Sequence, residues 1–212
     1  MRKVLLSSLA VLPLAACSGL SVGVGVGGGS GNVGVGASAS VDVGSNAPAG
    51  STSRVTVTMY TIDDNGIGAE IGTLSLMDTR GGLEVIPKLR GLPPGPRGFH
   101  VHENPNCGPA LKDGKMVAGL AAGNHYDPNA TGKHEGPKGD GHRGDLPVLM
   151  VDKDGNATER LLAFRLQVSA VRGRAFVIHE GGDNFSDQPK PFGGGGARIA
   201  CGVVSQQWDE AQ

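Results

Sequence analysis

Val55-Thr56-Val57-Thr58-Met59-Tyr60-Thr61-Ile62, followed closely by Asn65-Gly66, is the stretch on which the fold turns. Val55, Val57, Met59 and Thr61 alternate with Thr56, Thr58, Tyr60 and Ile62. A two-residue period rich in β-branched side chains puts one set on each face of a strand. Asn-Gly tolerates the positive φ of a tight hairpin turn, so a second strand should return at once. Outward from here, similar runs occupy about 67–78, 82–90, 97–103, 147–152, 158–164, 174–180 and 198–205, and Asp154-Gly155 marks a second tight hairpin. Eight short strands without an amphipathic helix predict an all-β sandwich or barrel. Two long segments, roughly 104–146 and 181–197, interrupt the regularity. Loops of that length in a compact domain commonly carry function.

The chemistry-bearing residues collect in and beside those segments. All six histidines lie between His100 and His179, and His125, His134 and His142 share the first segment with Asp145. Neutral imidazole is the commonest biological metal ligand, and a carboxylate adds an anionic oxygen, so the clustering points to metal chemistry. His100 and His102 are two apart on an expected strand and leave it on the same face. The second segment holds Asp183 and the run Gly193-Gly194-Gly195-Gly196.

Gly98-Phe99-His100-Val101-His102-Glu103, Gly123-Asn124-His125-Tyr126-Asp127-Pro128, Gly144-Asp145-Leu146 and Gly193-Gly194-Gly195-Gly196-Ala197-Arg198-Ile199-Ala200-Cys201-Gly202-Val203-Val204 follow one another in this order. Together they resemble a copper/zinc superoxide dismutase of the bacterial secreted type, over about residues 54–205. The resemblance implies an eight-stranded Greek-key β-barrel or sandwich with two long functional loops. It also implies disproportionation of superoxide to dioxygen and hydrogen peroxide by a redox-cycling copper bridged to a structural zinc, protecting the cell envelope.

Position by position, the resemblance makes His100, His102, His125 and His179 the copper ligands. His125, His134, His142 and Asp145 become the zinc ligands, with His125 as the bridge. The donor types agree with this division, since four imidazoles suit tetragonal copper(II) and three imidazoles with one carboxylate suit tetrahedral zinc(II). A bridging His125 must lose both ring protons, which two adjacent cations make reasonable near neutral pH. The His134 assignment rests on its place between His125 and His142. Asp183 matches a carboxylate that links a copper ligand to a zinc ligand and orients both rings. Arg198 matches the arginine beside the open copper face, where it attracts the anionic substrate, and His125 also supplies a proton. Cys107 and Cys201 match the family's disulfide. Lys112 and Lys115, in the loop before His125, are further steering candidates for a domain that must attract an anion.

Ahead of the folded region, Met1 to Cys17 has a basic start at Arg2 and Lys3, an apolar run from Val4 to Ala16, and then Cys17. That is a secretory signal too short to span a membrane. Leu14-Ala15-Ala16-Cys17 resembles a bacterial lipobox, so cleavage before Cys17 should leave residues 1–16 as the signal and Cys17 as a lipid anchor. Residues 18–53 contain eleven glycines, no aromatic residue and only Asp42 as a charge. Such a segment cannot offset its chain entropy by burial and should act as a tether of roughly 30–36 Å. The expected organisation is therefore signal 1–16, anchored tether 17–53, domain 54–205 and a tail 206–212 that holds Trp208.

Removing Arg2 and Lys3 leaves 17 basic against 20 acidic side chains, a net of −3 that gives no support to nucleic-acid binding. With Cys17 carrying lipid, Cys107 and Cys201 remain as a pair in an oxidising compartment, where a disulfide is expected. The anchor places the protein at the periplasmic side of a membrane, and Ser18 favours the outer one. Both monomers and homodimers are compatible with this sequence. The alternative function is a non-catalytic copper/zinc-binding envelope lipoprotein, which needs the same ligands but not Arg198 beside an open copper position.

Overall fold

In a computed structural model that describes residues 54–207, the opening alternation becomes β1 (Val55–Asp63), with Val55, Val57 and Met59 in the core. The expected signal, Cys17, the Gly-rich tether and Trp208 lie outside the described residues. β1 pairs antiparallel with β2 (Gly66–Thr79), and Asp63 stands opposite Gly66. The turn is thus Asp64-Asn65, one residue earlier than Asn65-Gly66 suggests. The reason is Asp63, whose Oδ1 accepts from the N–H groups of Asn65 and Gly66 at 2.7 and 3.0 Å. An aspartate that captures its following backbone in this way sets the turn itself.

The remaining strands are β3 (Gly82–Leu89), β4 (Gly95–Arg97), β5 (Phe99–His102), β6 (Ala110–Lys112), β7 (Lys115–Val117), β8 (Leu149–Val151), β9 (Leu161–Ala163), β10 (Ala175–His179) and β11 (Arg198–Val203). Each of the eight expected runs is present, with 97–103 divided at Gly98 into β4 and β5. Among the described residues, one short α-helix, α1 (Val168–Val171), accompanies them. Seven strands form one sheet in the order β5-β10-β11-β1-β2-β3-β9, and β4 pairs with β8. Because β4 runs into β5 at one edge and β8 leads toward β9 at the other, the β4–β8 pair curls the sheet toward closure. The result is an all-β barrel of Greek-key type with its edges protected.

Asp154-Gly155 forms a tight turn, with Gly155 N–H donating to Asp152 O at 3.1 Å and Gly155 at φ 83. It is not a hairpin. β8 pairs with β4 while β9 pairs with β3, so the chain turns there and crosses to a different neighbour.

The barrel core includes Phe99, Val101, Phe176, Ile178 and Ala200, and the Phe99 and Phe176 rings lie 5.6 Å apart. Fully burying one such side chain contributes about 2–3 kcal/mol. Residues of the opposite parity, Ala175, Val177 and Cys201, join Ile62, Cys107 and Ala122 in a second buried cluster. The outer face of β10 and β11 is therefore not solvent-facing, because the segment after β5 lies on it and is pinned by the Cys107–Cys201 disulfide. The same cover explains why Ile62 is buried although it shares the parity of exposed Thr56.

The first long segment is not without structure. β6 and β7 form a hairpin whose turn residues Asp113 and Gly114 both have positive φ, 51 and 76. Asp-Gly favours that geometry. Strands of three residues are too short for periodicity to reveal.

Candidate metal centre

The centre is built on the outward face of β5. Phe99 and Val101 enter the core, while His100 and His102 leave on the opposite face, as their spacing requires. That face is fully covered, because the following loop returns along the strand. Val101 N–H donates to Gly144 O at 2.9 Å, Tyr126 N–H donates to Val101 O at 2.8 Å, and isolated bridges align His100 with Asp145 and His102 with His125. A Cβ on Gly144 would lie 2.3 Å from Val101 O, so this close return demands glycine. β10 delivers His179 at its end, where its N–H donates to Gly98 O at 2.8 Å.

One nitrogen of each of four rings is held by the protein. His100 Nε2 and His134 Nε2 meet the two oxygens of Asp183 at 2.8 and 2.7 Å. His102 Nδ1 pairs with Gly123 O at 3.0 Å, and His179 Nδ1 pairs with Gly196 O at 3.2 Å. The opposite nitrogens of His100 (Nδ1), His102 (Nε2) and His179 (Nε2) are buried without a hydrogen-bond partner, and the buried Nδ1 atoms of His134 and His142 have only the Asp145 carboxylate beside them. Leaving a buried polar atom unpaired costs about 1–3 kcal/mol. Five such atoms, four of them on rings fixed at the far side, are what metal ligation would satisfy.

The donors converge in two groups. Atoms of His100, His102, His125 and His179 lie within 4.8 Å of one another, which is the expected copper set. Atoms of His100, His125, His134 and Asp145 form the second group, so His100 and His125 each belong to both. His142 stands just outside this second group, with its Nδ1 3.4 Å from Asp145 Oδ1. The Nδ1 atoms of His125 and His134 are each 3.0 Å from an Asp145 oxygen. Three Nδ1 atoms thus face one carboxylate, the donor set suited to zinc.

Electrostatics prepare most of these groups for metals. Burial, followed by repulsion from His125, holds His100 and His102 well below the usual imidazole value and pushes His179 down to about 3. Burial also lowers His125. Neutral imidazole is the ligating form. His134 differs: against the effect of burial, its contacts with Asp145 and Asp183 raise it to about 9. Burial would raise both carboxylates, yet the histidine hydrogen bonds prevail and hold Asp145 and Asp183 well below the carboxylate range.

A cleft of about 400 Å³ opens onto His125 and His179, and Lys112, Phe192 and Arg198 also line it. Arg198 begins β11, and its guanidinium donates to Gly119 O and to Gly123 O, the latter at 2.7 Å. Gly123 O also accepts from His102, so one carbonyl positions both the arginine and a histidine. Lys115 stands opposite Lys112 in the hairpin but does not line the cleft.

Three contributors carry no local sequence signal. Asp187 accepts from His134 N–H at 2.9 Å and from Phe192 N–H at 3.1 Å. The Phe192 ring packs on His125 and His142. Arg165 donates to the carbonyls of Gly139, Gly141 and His142 and so supports the loop from outside.

Residues 70–204 match the copper/zinc superoxide dismutase family. The chain is 56% identical over 149 residues to Cu-Zn superoxide dismutase 2 of Salmonella typhimurium, covering 70% of this chain and 86% of that one. Among solved structures it is similar to the Cu/Zn superoxide dismutase from Brucella abortus, at 49% identity and a TM-score of 0.71, covering 72% of this chain and 100% of the other. It is also similar to the monomeric copper, zinc superoxide dismutase from Salmonella enterica, at 55% identity and a TM-score of 0.66, with the same coverage.

Proposed function

The chain belongs to the copper/zinc superoxide dismutase family, and from that premise we propose that it converts two superoxide ions and two protons to dioxygen and hydrogen peroxide at the cleft that opens onto His125 and His179. His100, His102, His125 and His179 hold copper, and His125, His134, His142 and Asp145 hold zinc. The inward-facing unpartnered nitrogens on rings already fixed at their other end are the observation that carries this reading. Bound copper supplies one-electron oxidation and reduction, and bound zinc supplies a fixed charge that orders the loop.

The protein's own groups do the rest. Arg198 offers a cation at the cleft wall to attract and orient the anion, which matters for a chain whose overall charge is negative. His125 turns Nδ1 toward Asp145, so Nε2 is its copper-side atom and the one that would carry a proton whenever it is not bound to copper. Asp183 locks the rings of His100 and His134 in one orientation. The test is metal content and superoxide disproportionation by the mature protein. One copper and one zinc per chain with activity well above free copper are expected. Both metals without activity would favour the non-catalytic metal-binding lipoprotein.

The N-terminal reading is proposed on sequence alone: cleavage before Cys17, lipid on that cysteine, and a Gly-rich tether that holds the domain on the periplasmic side of a membrane, the outer one being favoured by Ser18. Labelled palmitate should enter the wild-type protein and not C17S. Equal labelling of both would remove the anchor. The monomeric state named for the Salmonella enterica relative favours a monomer over the homodimer, and sedimentation of the mature protein decides between them.

A further inference from the structure

Phe185 and Phe192 adopt φ values of 58 and 55, which residues with side chains rarely occupy. Both lie in the second long loop, and both press on the first. A Cβ on Gly136 would lie 2.7 Å from Phe185 Cγ. The Phe192 ring lies 5.2 Å from the His125 ring and 6.0 Å from the His142 ring, nearly parallel to the latter at 26°.

The backbone is anchored to suit. Asp187 Oδ1 accepts from Phe192 N–H while Oδ2 accepts from His134 N–H, so one carboxylate ties the aromatic residue to the metal-bearing loop. At the next position, a Cβ on Gly193 would meet Asp183 Oδ1 at 1.9 Å and His134 Nε2 at 2.8 Å. The chain therefore passes tightly over the centre at Gly193, and Phe192 is the first side chain before that passage. Phe192 is 45% exposed; it lines the cleft and its ring packs on the two imidazoles.

We propose that Phe192 is a positioning residue that serves as a lid on the zinc half of the centre, with Asp187 as its latch. The ring covers His125 and His142 and leaves the cleft open to His179 and Arg198. This rests on the division of ligands proposed above. A departing metal ion exchanges protein ligands for water or a competing ligand one at a time, so an apolar plate over two imidazoles slows its loss. Among the described residues, Phe192 makes ring contacts with His125 and His142, not with His100, His102 or His179. Of the two rings only His125 is shared with the copper set, so the effect should be larger for zinc than for copper.

The experiment follows the release of each metal from the loaded full-length protein, zinc to a chromogenic zinc chelator and copper to a copper(I) chelator under reducing conditions. F192A should lose zinc at least about tenfold faster, with a much smaller change for copper. F192L, which keeps an apolar cover, should restore most of the retention. D187N should reproduce the zinc-selective loss by freeing the latch with the ring intact. Unchanged zinc release in F192A, or equal acceleration of both metals, overturns the lid. A wild-type protein that takes up copper but no zinc overturns the ligand division itself, and the lid with it.

Discussion

Arg198 is held by carbonyl oxygens rather than by a carboxylate, and that choice keeps its charge available. Gly119 O and Gly123 O fix the guanidinium without neutralising it, and Glu103 acts on its charge without forming an ion pair among the described residues. R198Q should lower kcat/KM by about 10–100-fold while both metals remain bound. R198K should fall between, since an ammonium keeps the charge but cannot span two acceptors in a planar fork. A fully active, fully metallated R198Q would sink the steering role. At this scale the sequence was readable wherever chemistry and local spacing coincide, as in His100 and His102 on one face of a strand. Asp187 and Phe192 were not readable. Asp187 meets His134 across 53 residues, and Phe192 meets His125 across a loop, where periodicity carries no information.

The element that does most to connect fold and site is the segment from 104 to 146. Its disulfide spans 94 residues, and closing a loop of that length stabilises the fold by about 4–5 kcal/mol in the chain-entropy model. The same segment supplies both carbonyls that hold Arg198. C107S should therefore lower both the unfolding midpoint in urea and kcat/KM in the metal-loaded protein. A loss of stability with full activity would show that Arg198 does not depend on the pinned loop. The hairpin within this segment separates the two lysines that sequence alone treats alike. Lys112 lines the cleft and Lys115 does not, so K112Q should reduce the low-salt rate by about threefold and flatten its salt dependence. K115Q should do less, and equal effects would mean that the lysines act only through overall charge. Strand identities were legible because period-two patterning is local, even where Asp63 moved the first turn by one residue. The cover over β10 and β11 was not, because strands buried on both faces lose the alternation that marks them.

Across the whole molecule, six histidines and Asp145 are buried outside the main barrel core, and titration of His100, His102, His125, His134, His179 and the carboxylates beside them should shape the stability of the metal-free protein. His100, His102, His125 and His179 have lowered values in the fold, so the unfolded chain binds more protons there and stability falls as pH drops below about 6.5. Asp145 and Asp183, also lowered, add a further loss as pH falls below about 4. His134 has the opposite sign. Its value is raised to about 9, so its contribution is fully present below the unfolded value near 6.5 and is lost as pH rises through 9. The metal-free protein should therefore have a stability maximum near neutrality with two declining limbs, measured as the urea midpoint from pH 5 to 9.5. H134Q should remove much of the alkaline limb and leave the limb between pH 6.5 and 5. The two carboxylates around His134 would then have to be satisfied by something other than its proton, so H134Q should also start from a lower midpoint at pH 6. An alkaline limb as steep in H134Q as in the wild type would mean that the Asp145–His134–Asp183 contact does not govern it.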